Sequence, residues 1–463
     1  LIDKSQRSLT ELLADGIVLT HEKNTPILIS WTEEIEPIDM FHFYQLEDGI
    51  ERAFWRDDDH MSIGYSGVCE SFEADSHDLE AIERAWHKRL DLSVQSNAKE
   101  KGTGPLLFGG MSYHKNAKRD AFWTDFPTVR FVLPSLMVSS KSGRAWVTMN
   151  RIIAKEEDVK QVLQFYSKVR KKLRSITPLG ANLAEITWNP ETDQHIDAWK
   201  NAISSLTSEM KEGLLQKVVL ARRKILRANQ TVDPTMVLKQ LDSNHPQGYI
   251  FALNYGESTF LGATPEQLVR KMGNSLESSS VAGTIQRGHT TKEDDRLGEE
   301  LLQDAKNRSE HDFVVESIAQ MFNEFCLDVS VQKTPSLLKA GKVQHLHTPV
   351  KGITKEGVSL FDMISRLHPT PAMGGKPRSV AVEKIAHHET FDRGWYAAPI
   401  GWIDQEGDGE FAVAIRSGVL QGKTASLYAG CGIVEASDPA SEVEETELKF
   451  APMLHALKGE THA

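Results

Sequence analysis

Residues 427–449 read LYAGCGIVEASDPASEVEETELK. The segment begins as an apolar strand in which Gly430 and Gly432 leave the backbone bare. A turn, Ala436-Ser437-Asp438-Pro439, follows, and a helix opens with Glu442, Glu444, Glu445 and Glu447 in its first turns. Small residues let a ligand come close to main-chain N–H groups. Glu442 and Glu445, three positions apart, share one helix face. Two carboxylates beside a glycine-lined strand can hold a hard cation such as Mg2+, with help from a ligand and water. An acidic first turn also complements the helix dipole without any metal. Taken by itself, the segment leaves both readings open.

Outward from this stretch, the preceding strands and helices set the fold class. WYAAPIGWID and GEFAVAIRSGVL read as two strands leading into it. Earlier, LQKVVLARRKILR, FALNY, STFLGA, QLVRKM and SLESSSVAGT are short strands separated by turns, as in an antiparallel meander. Ile196 to Glu212 has helical periodicity, Lys292 to Phe325 reads as one long helix despite Gly298, and shorter helices cover Phe361 to Leu367 and Arg378 to Ala386. In the N-terminal part, PILISW, MSIGYSGV, PLLFGGMSY, VRFVLPSLMVSS and AWVTMN are strands, with Lys141-Ser142-Gly143 as a hairpin turn between the last two. Asp78 to Val94 and Glu156 to Leu173 are helical. Runs of strands with helices outside them predict α+β with large antiparallel sheets and not βαβ winding. Residues 174–193, with Pro178, Gly180 and Pro190, mark the expected join between an N-terminal half (1–190) and a catalytic region (191–463).

Composition narrows the function classes. The 463 residues are 40% hydrophobic and 25% charged, ordinary for a globular protein. With 53 basic and 65 acidic residues the net charge is −12, and there is no long basic run, so nucleic acid and anionic membrane are not expected partners. No apolar stretch is long enough to span a bilayer, and the first residues carry charges where a secretory leader would be apolar. Cys69, Cys326 and Cys431 are odd in number and widely spaced, so neither a disulfide framework nor a zinc site is expected, and a reducing cytoplasm is the simplest location.

Several residues could carry chemistry. Lys217 begins an apolar strand on the same face as Val219 and Ala221; desolvation there would favour its neutral form and make it a base, whereas a strand-end lysine can equally snorkel to water. Glu266, after Pro265 in a turn, is a general acid if buried with a raised pKa and otherwise a solvated turn residue. Glu310, in NRSEHDFVV, could ligate a metal opposite Glu442 and Glu445, although helix-surface glutamates are commonplace; His311 beside it points elsewhere. Arg416, inside FAVAIRSGVL, is costly in so apolar a strand unless it meets an anion, either a ligand or an internal acid. Tyr396, His345 and the loop HPTPAMGGKP are weaker signals. GTIQRG fails the P-loop pattern, and there is no nucleophile elbow, dinucleotide fingerprint or His-Glu-x-x-His.

In order along the chain, KVVLAR, FLGATPEQL, VAGTIQRG, NRSEHDFVV, VQHLHTPVKG, HPTPAMGG, RGWYAAPIGW, FAVAIRSG and AGCGIVEASDPASEVEETELK resemble the chorismate-utilising enzymes over about residues 195–455. The resemblance implies one intertwined α+β domain with two large, mainly antiparallel sheets and helices outside, Mg2+ dependence and chorismate as substrate. Related anthranilate synthases usually carry Gln where Lys217 stands. Aminodeoxychorismate synthases have a lysine at the position of Ala282, and salicylate synthases commonly have Thr at that of Ala372. Lys217 with Ala372 most resembles the isochorismate-forming branch, and the long N-terminal half, with FWRDDDHMSIGYSG, its menaquinone-pathway type, to which siderophore-pathway enzymes are close relatives; a salicylate synthase is the nearer alternative and a non-catalytic dicarboxylate-binding relative the alternative of a different class. By the same resemblance Lys217 is base and Glu266 acid, while Glu310 and Glu445, with Glu442 nearby, hold Mg2+ against the ring carboxylate. Arg416, Tyr396 and the backbone at Gly430 would take the enolpyruvyl carboxylate. Ala372, Thr284, His345, Met373, Ile415 and Tyr428 match pocket-lining positions, Lys449 a lysine beside the metal glutamates, and Cys431 a packing position. A monomer is the family expectation.

Overall fold

A computed structural model describes residues 7–46, 51–96, 100–115, 120–176, 186–190, 195–340 and 343–459. Its strands form one hydrogen-bonded network that divides into two large sheets. The first runs Ser93–Gln95, Ile27–Ile35, Arg144–Ile153, Val129–Lys141, Ser62–Ala74, Arg52–Arg56, Tyr249–Tyr255, Ser258–Thr264, Ser417–Gln421, Thr424–Ile433, Lys217–Ala228. Only its outermost pair, Ile27–Ile35 with Ser93–Gln95, is parallel. The second runs from Val129–Lys141 through Leu106–Met111, Pro399–Asp404, Gly409–Val413, Gln267–Met272 and Ser275–Gln286 to Val343–Thr354. In each sheet a block of strands from the N-terminal half is joined edge to edge to a block from the C-terminal half, Arg52–Arg56 on Tyr249–Tyr255 in the first and Leu106–Met111 on Pro399–Asp404 in the second.

The strand Val129–Lys141 belongs to both. Val129–Val132 pair with Leu106–Met111, whereas Leu136–Lys141 pair with Arg144 onward. Pro134 lies between these stretches, opposite a register shift at Val68/Glu70. Proline lacks the N–H needed for an unbroken ladder, so it fits where a strand leaves one sheet for the other. The hairpin turn read at 141–143 is present, with Ser142 and Gly143 both at positive φ, as a two-residue turn of primed type requires.

Aromatic residues fill the space between the sheets, among them Trp55, Phe108, Phe251, Phe260, Trp395 and Trp402. Helices Leu9–Lys23, Val159–Arg174, Pro234–Asn244 and Pro439–Lys458 cover the outside of the first sheet. Helices Leu79–Leu90, Ala305–Phe325 and Leu360–Leu367 cover the second. This is the α+β arrangement expected. The three cysteines are free, and among the described residues no helix is long and apolar enough to cross a membrane.

Two expectations need correction. The single helix over 292–325 is two helices, Thr291–Gln303 and Ala305–Phe325. The break is at Asp304, extended at φ −68° and ψ 114°, whose carboxylate accepts from the Asn307 N–H and caps the second helix. Gly298 lies inside the first helix; a side chain there would press on Leu337 and Gln344. Arg416 is likewise not inside a strand. Gly409–Val413 belongs to the second sheet and Ser417–Gln421 to the first, and Ala414–Arg416 cross between them. Arg416 has φ +51°.

Candidate active site

The crossing at Ala414–Arg416 places Arg416 where the two sheets part. Its carbonyl accepts from Ala263, and Gly262 keeps this approach open, since a Cβ there would stand 2.9 Å from that oxygen. Around the gap lies a cavity bordered by Lys217, Glu266, Thr284, Glu310, His345, Ala372, Met373, Tyr396, Ile415, Arg416, Tyr428, Gly430, Cys431, Glu445 and Lys449. Of the site residues expected from sequence, only Glu442 is not on this wall. Arg416, Thr284, His345, Glu445 and Lys449 also border a larger outer chamber of about 560 Å³.

Lys217 opens the strand Lys217–Ala228, and its side chain is 7% exposed. The sequence expectation of an amine isolated on an apolar face is modified here: Nζ donates to Glu310 Oε1 at 2.7 Å. Gly432, on the neighbouring strand, keeps room for this pair; a Cβ would sit 2.9 Å from Lys217 Cε and 3.2 Å from Glu310 Oε1. Glu266 follows Pro265 in the turn between Ser258–Thr264 and Gln267–Met272 and is buried. Burial pushes its carboxyl up to about 7, against the pull of Lys217, Arg416 and Lys449. A neutral carboxylic acid near neutral pH is the state a general acid requires.

Other lining residues are cationic and aromatic. Among the described residues no carboxylate forms an ion pair with Arg416. Desolvation acts to lower its pKa, while Tyr396, Glu445 and Glu266 act to raise it. Tyr396 stacks on Tyr428 with ring centroids 5.3 Å apart, and burial raises its phenol. A Cβ at Gly430 would come within 3.3 Å of the Tyr396 hydroxyl, so glycine keeps this backbone accessible. His345 is buried beside Thr284, with Thr284 Oγ1 and His345 Nδ1 2.9 Å apart. Burial, then Arg416 and Lys449, lower its pKa to about 3, leaving a neutral imidazole whose Nε2 has no partner among the described residues. His311 is packed against Thr348 and Ser280 and stands outside the cavity.

Further acidic residues come from the C-terminal helix. Asp438 caps the helix Pro439–Lys458, which carries Glu442 and Glu445 in its first turns. Lys449 Nζ donates to Glu445 Oε1 at 2.6 Å and to the Gly430 carbonyl at 2.9 Å. Burial works to raise the Glu445 carboxyl, but Lys449, with Arg416 and Lys217, outweighs it and holds the group below the ordinary range. Burial raises the Glu442 carboxyl, and its Oε2 is buried with no hydrogen-bond partner among the described residues. Among those residues no three His, Cys, Asp or Glu side chains converge as a ready-made metal cage. Glu310 and Glu445, which both line the cavity, with the unpartnered Glu442 oxygen one helical turn from Glu445, nevertheless suit a Mg2+ ion completed by a substrate carboxylate and water.

Two cavity residues had no role in the sequence reading. Asn307 packs against Gly283, which has φ +74° and would bring a Cβ within 3.2 Å of it. Arg393, in RGWYAAPIGW, is fully buried and ion-paired with Glu389. At i and i+4 that pair looks like an exposed helical contact; only its position beyond the end of helix Arg378–His388, inside the core, distinguishes it.

The family model described as chorismate binding enzyme matches residues 11–458. The chain is 37% identical to the isochorismate synthase MenF of Bacillus subtilis, covering 99% of this chain and 100% of that protein. It is 33% identical to the salicylate biosynthesis isochorismate synthase of Pseudomonas aeruginosa, over 93% of this chain and 90% of the relative. Among solved structures, the menaquinone-specific isochorismate synthase MenF of Escherichia coli superposes with a TM-score of 0.78 at 25% identity, covering 97% of this chain and 100% of that one.

Proposed function

Because the chain belongs to the chorismate binding enzyme family, we infer that it is an isochorismate synthase, an isomerase converting chorismate to isochorismate, with its product used in menaquinone synthesis. The observation that carries the chemical reading is one cavity bordered by both a lysine amine and a carboxyl that burial raises to about 7. Lys217 takes a proton from the water that attacks C2. Both ring double bonds shift, C1=C2 to C1=C6 and C5=C6 to C4=C5, as the C4–O bond breaks, and Glu266 gives its proton to the C4 hydroxyl, which leaves as water. One water enters and one departs; the proton gained by Lys217 returns to Glu266 through solvent. Arg416 and Tyr396, with the bare backbone at Gly430, hold the enolpyruvyl carboxylate. Thr284, His345, Tyr428 and Ala372 shape the walls around the ring. A Mg2+ ion held by Glu310 and Glu445, with Glu442 alongside, would neutralise the ring carboxylate, and Lys449 keeps Glu445 ionised and aimed. Residues 191–463 form the catalytic region, and residues 1–190 complete the sheets behind it. We take the protein to act as a cytoplasmic monomer.

Product analysis after incubation with chorismate and Mg2+ tests this reading. Isochorismate without pyruvate is expected. Salicylate with pyruvate would make it a salicylate synthase, and no turnover would leave a dicarboxylate-binding relative.

A further inference from the structure

The strand that carries Lys217 has an edge that no full-length strand covers. On one side it pairs along most of its length with Thr424–Ile433. On the other it meets only Gly375–Lys376 at its start and Trp188–Pro190 at its end. Val219 N–H donates to the Gly374 carbonyl at 2.8 Å, and then side chains replace the missing strand. Arg393 Nη2 donates to the Val219 carbonyl at 2.8 Å, and Ala221 N–H donates to Glu389 Oε1 at 2.8 Å. The two groups also join each other, Arg393 Nε to Glu389 Oε2 at 2.8 Å and Nη2 to Oε1 at 2.5 Å.

The same pair reaches two further parts of the cavity wall. Arg393 Nη1 donates to the Met373 carbonyl at 3.2 Å, which also receives the Tyr113 hydroxyl at 3.0 Å. The Tyr113 ring lies 4.2 Å from the guanidinium carbon. The Arg393 carbonyl accepts from Tyr396 N–H at 2.9 Å. One ion pair, with side chains 0% and 2% exposed, thus joins the strand of Lys217, the loop of Ala372 and Met373, and the segment of Tyr396.

We propose that Glu389 and Arg393 are positioning residues for the reaction: by completing the open strand edge they fix Lys217 relative to Met373 and Tyr396. The inference rests on reading Lys217 as the base. A buried ion pair is a poor source of net stability, because desolvation offsets its attraction and an apolar pair of similar size does as well. What an apolar pair lacks is the directed set of bonds to Val219, Ala221 and Met373. Small misplacements of a reacting group are costly, with about 1 Å capable of a loss near 10²-fold.

The test uses the double variant Glu389→Met with Arg393→Met, which removes both charges so that no lone ion is left buried, and Arg393→Lys, which keeps the charge but cannot serve both carbonyls. Both are assayed below their melting temperatures per folded molecule. The double variant is expected to lose about 10–100-fold in kcat with chorismate KM within about threefold, and Arg393→Lys to recover part of that loss. Unchanged kcat in either variant, or a change confined to KM, overturns the proposal. If the double variant does not fold, Arg393→Lys carries the test. Wild-type product analysis run alongside judges the isochorismate synthase reading separately, since positioning is read only from variant-to-wild-type ratios.

Discussion

Arg393 and Arg416 border the same cavity and are treated in opposite ways. Arg393 has a carboxylate, two backbone carbonyls and an aromatic ring as partners. Among the described residues Arg416 has no ion pair at all. The carboxylates divide likewise: Glu389 is engaged by Arg393 and by a strand N–H, whereas the Glu266 side chain makes no hydrogen bond to any described residue. An unpaired charge or acid beside low-dielectric walls raises the energy of the resting protein. The protein tolerates this at the two positions where substrate supplies the missing partner. Arg393 and Glu389, matched by protein partners, build the wall, whereas Arg416 and Glu266, left without them, meet the ligand.

Replacing Glu266 should sharpen this contrast most. Glu266→Gln is expected to lower kcat by roughly 10²–10⁴-fold. In wild type, kcat/KM should fall as pH rises through about 7, where the buried acid loses its proton. Stability should follow the same group. The folded state holds this proton up to about 7 and the unfolded chain only to about 4.5, so wild-type stability declines as pH rises across that window. Asp57, Asp404 and Glu410, also raised by burial, contribute to that decline; Glu266→Gln removes only the share of Glu266, and thermal unfolding at pH 8 should show it more stable than wild type by roughly 3 kcal/mol at most. An equally pH-sensitive variant would mean that Glu266 is not the titrating group.

Arg416→Gln should be nearly neutral for folding, with no internal partner stranded, yet lower kcat/KM by about 10–100-fold through loss of a charge-assisted carboxylate contact. A melting temperature that falls as far as that of an Arg393 variant would erase the distinction between the two arginines. The smallest effect is expected at Thr284. Thr284→Val removes the hydroxyl partner of His345 Nδ1 and should raise chorismate KM about three- to tenfold while leaving kcat largely intact, measured by initial rates.

The sequence made the acids, bases and strands legible because each kept a local signature. Alternating β-branched runs marked most strands, and Lys217 stood at the head of one. The crossing at Arg416 is hidden in the sequence because both strands it joins are buried almost throughout, so FAVAIRSGVL is apolar on either side of Arg416-Ser417 and reads as one strand. The broken helix does leave a sign in the sequence: Asp304, whose carboxylate accepts from the Asn307 N–H, is a capping residue inside a helical pattern. Ser8 and Glu11 form a capping box at the start of Leu9–Lys23, a local sign of a helix not among those expected from sequence. The Glu389–Arg393 pair was beyond local reading, since nothing in an i, i+4 pair states whether it faces water or the core.

The most direct test of the account combines chemistry and binding in one variant. Lys217→Gln keeps a polar side chain at the cavity wall but removes the base. Equilibrium binding of chorismate in the presence of Mg2+ should stay within about tenfold of wild type, while isochorismate formation falls by roughly 10²–10⁴-fold. Near-normal isochorismate production by Lys217→Gln would contradict the assignment of Lys217 as base and, with it, the division of labour described for this cavity.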